Sequence, residues 1–446
     1  MIDFVYFYLE QIQVFNPSTM KRSSFFLLLV TAAGFMWSQC TSPSTRNTTN
    51  FSPAITASDI QAHINFLASD SLQGRESGTE YEAIASDYII SAFESYGLAP
   101  KGDDGTFLQA FSINTARLNN PHASDDAEGE RRTAQNVVAW LEGSSGSEEY
   151  VIIGAHYDHL GYGEFGSLYR GDTPRIHNGA DDNASGTTGL LELAHYFAEN
   201  QPKDNLLFAA FSGEEMGLLG SAHFVEEPTV DLSQAKAMIN MDMIGRLTNE
   251  KLLIFGVGTT PKWSELAETV NTDSLDLDLV EDGTGASDHT SFYYKNIPVL
   301  HYFTDTHSDY HRPSDDAEYI EEAGQALVVS HVARMIGALG ELPKSELPFV
   351  EAPGEQRQSM QLNGPTLGVL PDYGYDGVGM RITGTNPGQP AQVAGLQSGD
   401  VIIGLGETRF EDIYGYMGAL NSLSVGQKTT ITLLRDGNEI TLDLNL

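Results

Sequence analysis

The residues that could do chemistry gather in one stretch of the chain, Val151 to Ser185. It opens with the apolar run VIIGA, which leads directly into His156, Asp158 and His159. It closes with HNGADDNASG, in which an acidic pair follows a glycine and precedes a helical pattern. Imidazole and carboxylate groups delivered at the end of a buried strand are the ligands of a metal site. The stretch therefore predicts metal-dependent chemistry.

Further acidic and histidine residues follow other apolar runs. Glu214 and Glu215 come after NLLFAAFSG, and Asp242 ends AKAMINMD. His307 and His311 lie in THSDYHRPSD, which follows the apolar run IPVLHYF. Ligands of open α/β sheets bind in the crevice outside the carboxyl ends of the strands. We therefore expect these side chains to share one crevice.

This donor set fits two divalent metal ions about 3.5–4 Å apart that share a carboxylate and a water. Imidazole and carboxylate without thiolate suit zinc, and cobalt or manganese would also be accepted. A carboxylate outside the ligand set is then needed to take a proton from the water.

Strands and helices must alternate to position these residues. Apolar, β-branched runs predict strands at 107–113, 135–141, 150–155, 205–211, 235–241, 251–255 and 297–302. Apolar residues at helical spacing predict helices at 57–69, 79–96, 186–199, 217–225, 261–270 and 317–336. The alternation predicts an α/β fold with a mixed, largely parallel sheet sandwiched by helices.

Five stretches, taken together, resemble a known family. HYDH, GADDNASG, FSGEEMGLLGS, NMDMIGR and YHRPSD occur in the order and at the spacing of the zinc peptidase family M28, across roughly 57–339. That family includes bacterial leucyl aminopeptidase, aminopeptidase Y and glutamate carboxypeptidase. The resemblance implies the zinc exopeptidase fold and two zinc ions per chain.

The resemblance also implies a role for each matching residue. His156 and Asp242 would complete one zinc site, Glu215 and His311 would complete the other, and Asp182 would bridge the two.

Two further roles follow from the resemblance. Glu214 would act as general base and then general acid, and Asp158 would orient the His156 imidazole. Asp181 is the alternative to Asp182 for the bridge. The implied reaction is hydrolysis of a peptide bond by a bridging water that Glu214 deprotonates.

Other candidate residues receive ordinary interpretations. Met243 either lines a side-chain pocket or packs in the core. The run Ser287-Asp288-His289 is rejected as a nucleophilic triad, because three consecutive residues cannot converge on one point. The remaining histidines considered are interpreted as polar or core residues: His159, His177, His289 and His301.

The function expected from this resemblance is that of an exported metal-dependent exopeptidase, foremost an aminopeptidase, acting on peptides or proteins. The alternatives are a carboxypeptidase or dipeptidase of the same family, and a catalytically inactive protein that binds peptides. Glutaminyl cyclase, a related single-zinc transferase, is disfavoured because both His156 and Asp242 are present.

The N-terminus predicts export to the periplasm or the extracellular space. Lys21 and Arg22 precede an apolar run from Phe25 to Trp37, which is short for a bilayer span and typical of a signal segment. We expect this segment over 1–40, with Met20 as an alternative start. Cys40 is the single cysteine of the chain. Its position before a polar tether at 41–55 resembles the lipidated cysteine of bacterial lipoproteins.

The charge of the chain limits its partners. Lys and Arg number 24 against 61 Asp and Glu, which gives a net charge of −37 among 446 residues. Such a charge repels polyanions, so we expect no nucleic-acid partner.

The C-terminal part predicts a second, mostly β domain. Residues 341–360 contain prolines and little periodicity and are interpreted as a linker between a peptidase domain at 56–340 and a domain at 361–446. PAQVAGLQSGDVIIGLG resembles the signature of PDZ domains. By that resemblance, the loop Thr366 to Val369 would offer backbone N–H groups to a C-terminal peptide ligand. The alternative is a structural β domain that binds nothing.

Overall fold

The structure is a computed structural model. It describes residues 54–115, 129–169, 171, 173–352, 367–371, 378–385, 389–406, 408–410, 416, 419–420, 423–424, 426–435 and 437–446. The predicted signal segment, Cys40 and nearly all of the tether lie outside these ranges, as does most of the second half of the predicted linker.

Nine strands of the described chain form one mixed sheet in the order β1-β3-β5-β4-β6-β9-β7-β8, with β2 paired to β3. Their bounds are β1 Ala99–Pro100, β2 Leu108–Asn114, β3 Arg131–Leu141, β4 Tyr150–His156, β5 Asn205–Phe211, β6 Ala235–Met241, β7 Lys251–Phe255, β8 Asp276–Val280 and β9 Val299–Phe303. The four central strands β5, β4, β6 and β9 are parallel, whereas β3 and β7 run antiparallel to their central neighbours. The predicted fold, with its largely parallel sheet, is confirmed.

The central strands are buried on both faces because helices cover both. Every residue of β4, β5 and β6 is buried. The helices of this part are α1 Ala57–Leu67, α2 Glu80–Tyr96, α3 Gly186–Glu199, α4 Leu219–Glu226, α5 Trp263–Val270, α6 His289–Tyr293 and α7 Glu322–Leu339. Apolar residues of α1, α2, α3, α5 and α7 form one core cluster, and those of α4 and α6 belong to another.

Capping residues explain where the first two helices begin and end. The Thr56 hydroxyl accepts from the backbone N–H of Asp59, and the Thr79 hydroxyl accepts from that of Glu82, so each threonine caps a helix N-terminus. Gly97 ends α2 with a φ of 81°, a left-handed conformation that favours glycine.

The structure differs from the sequence-based elements in several places. Strand β3 begins at Arg131, four residues before the strand predicted at 135–141, and the edge strand β8 was not expected. The helix expected from Ala317 begins only at Glu322, after a 3₁₀ turn at Ala317–Tyr319.

The first half of the predicted linker packs on the α/β part of the chain. Leu347 is buried in the larger core cluster. The backbone N–H of Ala352 donates to the Tyr293 hydroxyl at 3.0 Å. The domain boundaries stay predictions.

The C-terminal part is an antiparallel sheet of its own. Its described strands are β10 Val369–Pro371, β11 Met380–Thr385, β12 Val401–Leu405, β13 Thr408–Arg409, β14 Lys428–Arg435 and β15 Asn438–Asn445. They follow the order β10-β11-β12-β14-β15, with β13 paired to β12. A short helix, α8 Pro390–Ala394, ends at Gly395 with a φ of 89°. The expected small, mostly β domain is confirmed.

Within the described ranges, none of the helices combines the length and apolar character that a membrane crossing requires.

Candidate metal centre

The carboxyl ends of three central strands deliver four of the predicted site residues to one place. His156 is the last residue of β4, and Asp242 directly follows β6. Glu214 and Glu215 lie three and four residues after the end of β5. Because these strands are parallel neighbours, their carboxyl ends meet at one edge of the sheet.

Asp182 and His311 reach the same edge from connecting segments. Asp182 lies in the irregular turn Ala180–Ser185 that leads into α3. His311 lies in the segment after β9 and has a φ of 53°, a left-handed conformation that is uncommon outside glycine and clusters at functional sites. The structure thus brings all of the predicted site residues together.

The first group of donor atoms surrounds His156. Its Nε2 lies 3.4 Å from Asp182 Oδ1 and 3.5 Å from Asp242 Oδ1. Glu214 Oε2 is somewhat farther, at 3.9 Å.

The second group surrounds Glu215. His311 Nε2 lies 3.1 Å from Glu215 Oε2 and 3.1 Å from Asp182 Oδ2. Asp182 therefore has one oxygen in each group, which is the position that the family resemblance implies for a bridging ligand.

His159, interpreted from the sequence as a polar or core residue, also lies in this second group. Its Nδ1 lies 2.7 Å from Glu215 Oε1 and 3.9 Å from Asp182 Oδ2. Its position directly after Asp158, in the turn that follows β4, was the available sequence signal.

These donors fit divalent metal ions. His156 Nε2 and Asp242 Oδ1 are buried and have no hydrogen-bond partner in the described part of the chain. Buried polar atoms of this kind are costly unless another group, such as a cation, satisfies them. Two sets of histidine and carboxylate donors could each hold an ion, namely His156, Glu214 and Asp242, and His159, Asp182 and Glu215. Imidazole and carboxylate donors suit zinc.

The pKa shifts in the cluster also favour a bound cation. Burial opposes protonation of His311, but Glu215 and Asp182 outweigh it and hold the pKa of the imidazole well above its ordinary value. Burial likewise opposes protonation of His156, but Glu214 and Asp242 raise its pKa well above the ordinary value. Positive charge is therefore favoured at both imidazoles, the places where metal ions would bind.

Glu214 carries the properties expected of a proton carrier. Burial raises the pKa of its carboxyl, His156 opposes that change, and the nearby Glu215 and Asp242 carboxylates reinforce it. The resulting pKa is well above the ordinary value. A buried carboxyl of raised pKa at a cluster of metal ligands suits general acid–base work.

Asp158 supports both the first group and the base. Its Oδ1 lies 3.6 Å from His156 Nδ1 and accepts from the backbone N–H of Glu214 at 3.2 Å. Its Oδ2 accepts from the Ser77 hydroxyl at 2.8 Å. The predicted orienting residue thus contacts the predicted ligand and the loop of the predicted base.

Other hydrogen bonds that position the predicted ligands were not anticipated from the sequence. The Ser287 hydroxyl donates to Asp242 Oδ2 at 2.7 Å and accepts from Asn240 Nδ2 at 2.8 Å. Ser287 was considered only as part of a rejected triad, whereas here it donates to one oxygen of the predicted ligand Asp242. His311 Nδ1 lies 2.8 Å from the Gly166 carbonyl, so an N–H there can donate to that oxygen while Nε2 faces the carboxylates.

The remaining candidates make other contacts. His177 Nε2 pairs with the Ser167 hydroxyl at 2.7 Å. His289 and His301 stack on each other with ring centroids 4.4 Å apart. Met243 is buried at 3% exposure.

Comparisons with known proteins agree with this geometry. Residues 136–336 match the model of peptidase family M28, and residues 359–446 match that of the PDZ domain. A probable zinc metalloprotease of Pyrenophora tritici-repentis is 41% identical over 109 residues, which cover 24% of this chain and 24% of that protein. A probable leucine aminopeptidase of Arthroderma otae is 30% identical over 220 residues, covering 46% of this chain and 56% of the relative. The matched segments thus span about a quarter to just over half of these relatives.

The solved structures support the fold. An aminopeptidase from Aneurinibacillus sp. strain AM-1 superposes with a TM-score of 0.52 at 18% identity, covering 68% of this chain and 97% of that one. At that identity the likeness shows a shared fold. The family resemblance inferred from the five motifs is confirmed: the chain carries a peptidase family M28 domain followed by a PDZ domain.

Proposed function

We propose that this chain is a metal-dependent exopeptidase that hydrolyses peptide bonds with two zinc ions and a bridging water, and that it acts foremost as an aminopeptidase. The observation that carries the proposal is Asp182, whose two carboxylate oxygens face different imidazoles, His156 at 3.4 Å and His311 at 3.1 Å. The names of the curated relatives, a zinc metalloprotease and a leucine aminopeptidase, support the same activity.

Two zinc ions held by His156, Asp182, Asp242, Glu215 and His311 would polarise the scissile carbonyl and lower the pKa of a bound water toward neutrality. The chain's own residues supply the rest. Glu214, whose Oε2 lies 3.9 Å from His156 Nε2 at the first group of donors, takes the proton of the water and returns it to the leaving amine. Asp158 holds the His156 ring through its backbone carbonyl, which accepts from Nδ1 at 3.3 Å, and its carboxylate accepts from the backbone N–H of Glu214.

Hydrolysis of free and N-acetylated peptides tests the aminopeptidase assignment. We expect peptides with a free amino group to be cleaved from the N-terminus, and their acetylated counterparts to be resistant. Both reactions should be followed with and without a chelator. Cleavage of the blocked peptides alone would instead favour the carboxypeptidase or dipeptidase alternative. Failure to cleave any peptide with metal bound would favour the inactive peptide-binding alternative.

We also propose that the PDZ domain binds C-terminal peptide segments. Strand β10 pairs with β11 and lies at the end of its sheet, so in the described part of the chain its other edge has no strand partner. An open edge beside the loop at Leu367 to Val369 fits addition of a peptide strand.

Truncation tests whether this domain influences hydrolysis. The shortened chain should end after Ala352, because Leu347 and Ala352 are buried against the peptidase part. An unchanged rate and substrate preference would count against any influence of the PDZ domain.

Export, and anchoring through a lipid on Cys40, remain proposals from the sequence pattern. Growth with a labelled fatty acid, followed by comparison with a Cys40→Ser variant, tests the anchor.

A further inference from the structure

His159 and His311 converge on the same two carboxylates. His159 Nδ1 lies 2.7 Å from Glu215 Oε1, and His311 Nε2 lies 3.1 Å from the other oxygen of Glu215. Both nitrogens also approach Asp182 Oδ2, at 3.9 Å and 3.1 Å respectively. Two imidazoles and two carboxylates therefore surround one point.

We propose that His159 is a fourth protein ligand of the metal ion held by Asp182, Glu215 and His311, a role that rests on the proposed function. Zinc bonds of about 2.0–2.1 Å in a tetrahedron place neighbouring donor atoms roughly 3.3–3.4 Å apart. The separations of 2.7, 3.1 and 3.9 Å observed here bracket that spacing.

The His159 ring is fixed in this position by its surroundings. The side chain is fully buried. Its backbone N–H donates to the Arg75 carbonyl at 3.3 Å. The ring lies so close to Gly179 that a Cβ there would be 2.5 Å from two ring carbons. Gly179 also has a φ of 56°, so a larger residue is disfavoured on both grounds.

The two metal positions are consequently unequal. The first has the three predicted protein ligands His156, Asp182 and Asp242, and Glu214 Oε2 lies 3.9 Å from His156 Nε2. In the described chain, its donor set includes one imidazole, whereas the second has two. Four protein ligands hold a zinc ion more firmly than three, and because zinc can become five-coordinate, the second ion could still bind the bridging water. The second ion is therefore the more tightly held one, and the first lies beside the base.

X-ray absorption spectroscopy of the zinc-loaded full chain tests the role of His159 directly, because imidazole ligands give a distinctive multiple-scattering signal. Wild type should show three zinc-bound imidazoles per chain, from His156, His159 and His311. His159→Gln should show two, and its affinity for the second zinc should fall at least tenfold by equilibrium dialysis. His223→Gln, on α4, provides the matched control and should retain all three.

Several outcomes would overturn the inference. One is a wild-type signal of two imidazoles per chain, a measurement that does not depend on the folding of any variant. Another is an unchanged imidazole count in His159→Gln, which would make His159 a hydrogen-bond donor that positions Glu215.

Stepwise removal of zinc provides an independent measurement. In wild type, a weak chelator should remove one ion well before the other. In His159→Gln, the two should leave within a narrower range of chelator concentration. Equal separation in both proteins would contradict the proposed ligand.

These readouts are separate from the proposed activity. A wild-type chain that binds two zinc ions through three imidazoles but cleaves no peptide would refute the function and leave the ligand assignment standing. A chain that cleaves peptides but has two zinc-bound imidazoles would refute the ligand assignment alone.

Discussion

Asp181 and Asp182 are neighbours in the chain, yet their carboxylates enter different networks. Asp182 faces the imidazoles of His156 and His311. Asp181 accepts from the backbone N–H of Gly245 at 2.7 Å, and its other oxygen lies 3.2 Å from His307 Nε2. One residue therefore serves the metal centre, and the other fixes the loop that follows Asp242.

Because of this division, replacing aspartate by asparagine should affect zinc binding at one of these two adjacent positions and not at the other. Asp182→Asn should lose bound zinc, since an amide is a poor bridging ligand for two cations. Asp181→Asn should retain the wild-type zinc content, although its stability should fall. Metal analysis after dialysis checks both, and loss of zinc in Asp181→Asn with retention in Asp182→Asn would reverse the assignment.

Glu214→Gln should lower the rate of hydrolysis by about 10²–10⁴-fold and leave the zinc content near normal, because the amide cannot take the proton. The rate constant kcat and the zinc content should be measured on the same sample. Glu226→Gln, an exposed residue paired with Lys295, is the matched control. Full activity of Glu214→Gln would show that the proposed mechanism is wrong.

The sequence predicted which side chains lie together because several of them directly follow apolar strands. VIIGAH, NLLFAAF and AKAMINM are buried along their whole length, so their carboxyl ends were recognisable as the edge of a sheet. The position of the His159 ring was not predictable, because its direction depends on the turn after β4. The contact of Ser287 with Asp242 spans 45 residues of sequence, which no local pattern reports.

The direction of individual strands also could not be predicted from the sequence pattern. An apolar run indicates burial but not direction: VVAWL of β3 and LLIF of β7 are as apolar as the central strands, although both strands run antiparallel to their central neighbours. Strand β8, DLDLV, alternates acidic and apolar residues at the edge of the sheet, so it lacks the continuous apolar run from which the other strands were predicted.

Replacing Arg75 by alanine should cause a large loss of stability. It is 1% exposed, and its guanidinium donates to the carbonyls of Leu67, Tyr157, Asn178 and Gly179. Burial lowers its pKa to about 10, so it is charged at neutral pH. Arg75→Ala should cost at least about 3 kcal/mol in the free energy of unfolding, since each buried orphan carbonyl costs about 1–3 kcal/mol.

Urea denaturation of the zinc-loaded protein measures this loss. Lys203→Ala removes an exposed ion pair with Glu341 and should change the free energy of unfolding by less than about 1 kcal/mol. Equal stabilities of the Arg75 and Lys203 variants would show that the buried guanidinium does not hold these loops.

Glu192, which lies outside the candidate metal centre, should make the stability of the chain depend on pH. Burial and then the nearby Asp59 raise its pKa from 4.5 to about 8, although the Thr56 N–H opposes the change. Between these values the folded chain binds a proton that the unfolded chain has lost. This contribution to stability is therefore full below pH 4.5 and falls by roughly 1.4 kcal/mol per unit as the pH rises toward 8.

Glu192→Gln should remove that loss because the amide stays neutral. The Tm of this variant minus the Tm of wild type should therefore increase as the pH rises from 5 to 8. Parallel Tm profiles for the two proteins would contradict the raised pKa.

The central claim is that two zinc ions bound in this cluster support peptide hydrolysis. The most direct measurement follows the zinc content per chain and the hydrolysis of a free-amino peptide in the same sample, first during chelation and then during zinc addition. We predict that activity disappears with the metal, returns with it, and reaches its maximum at two zinc ions per chain. Undiminished hydrolysis by the zinc-free chain, or full activity with a single zinc ion, would contradict the account.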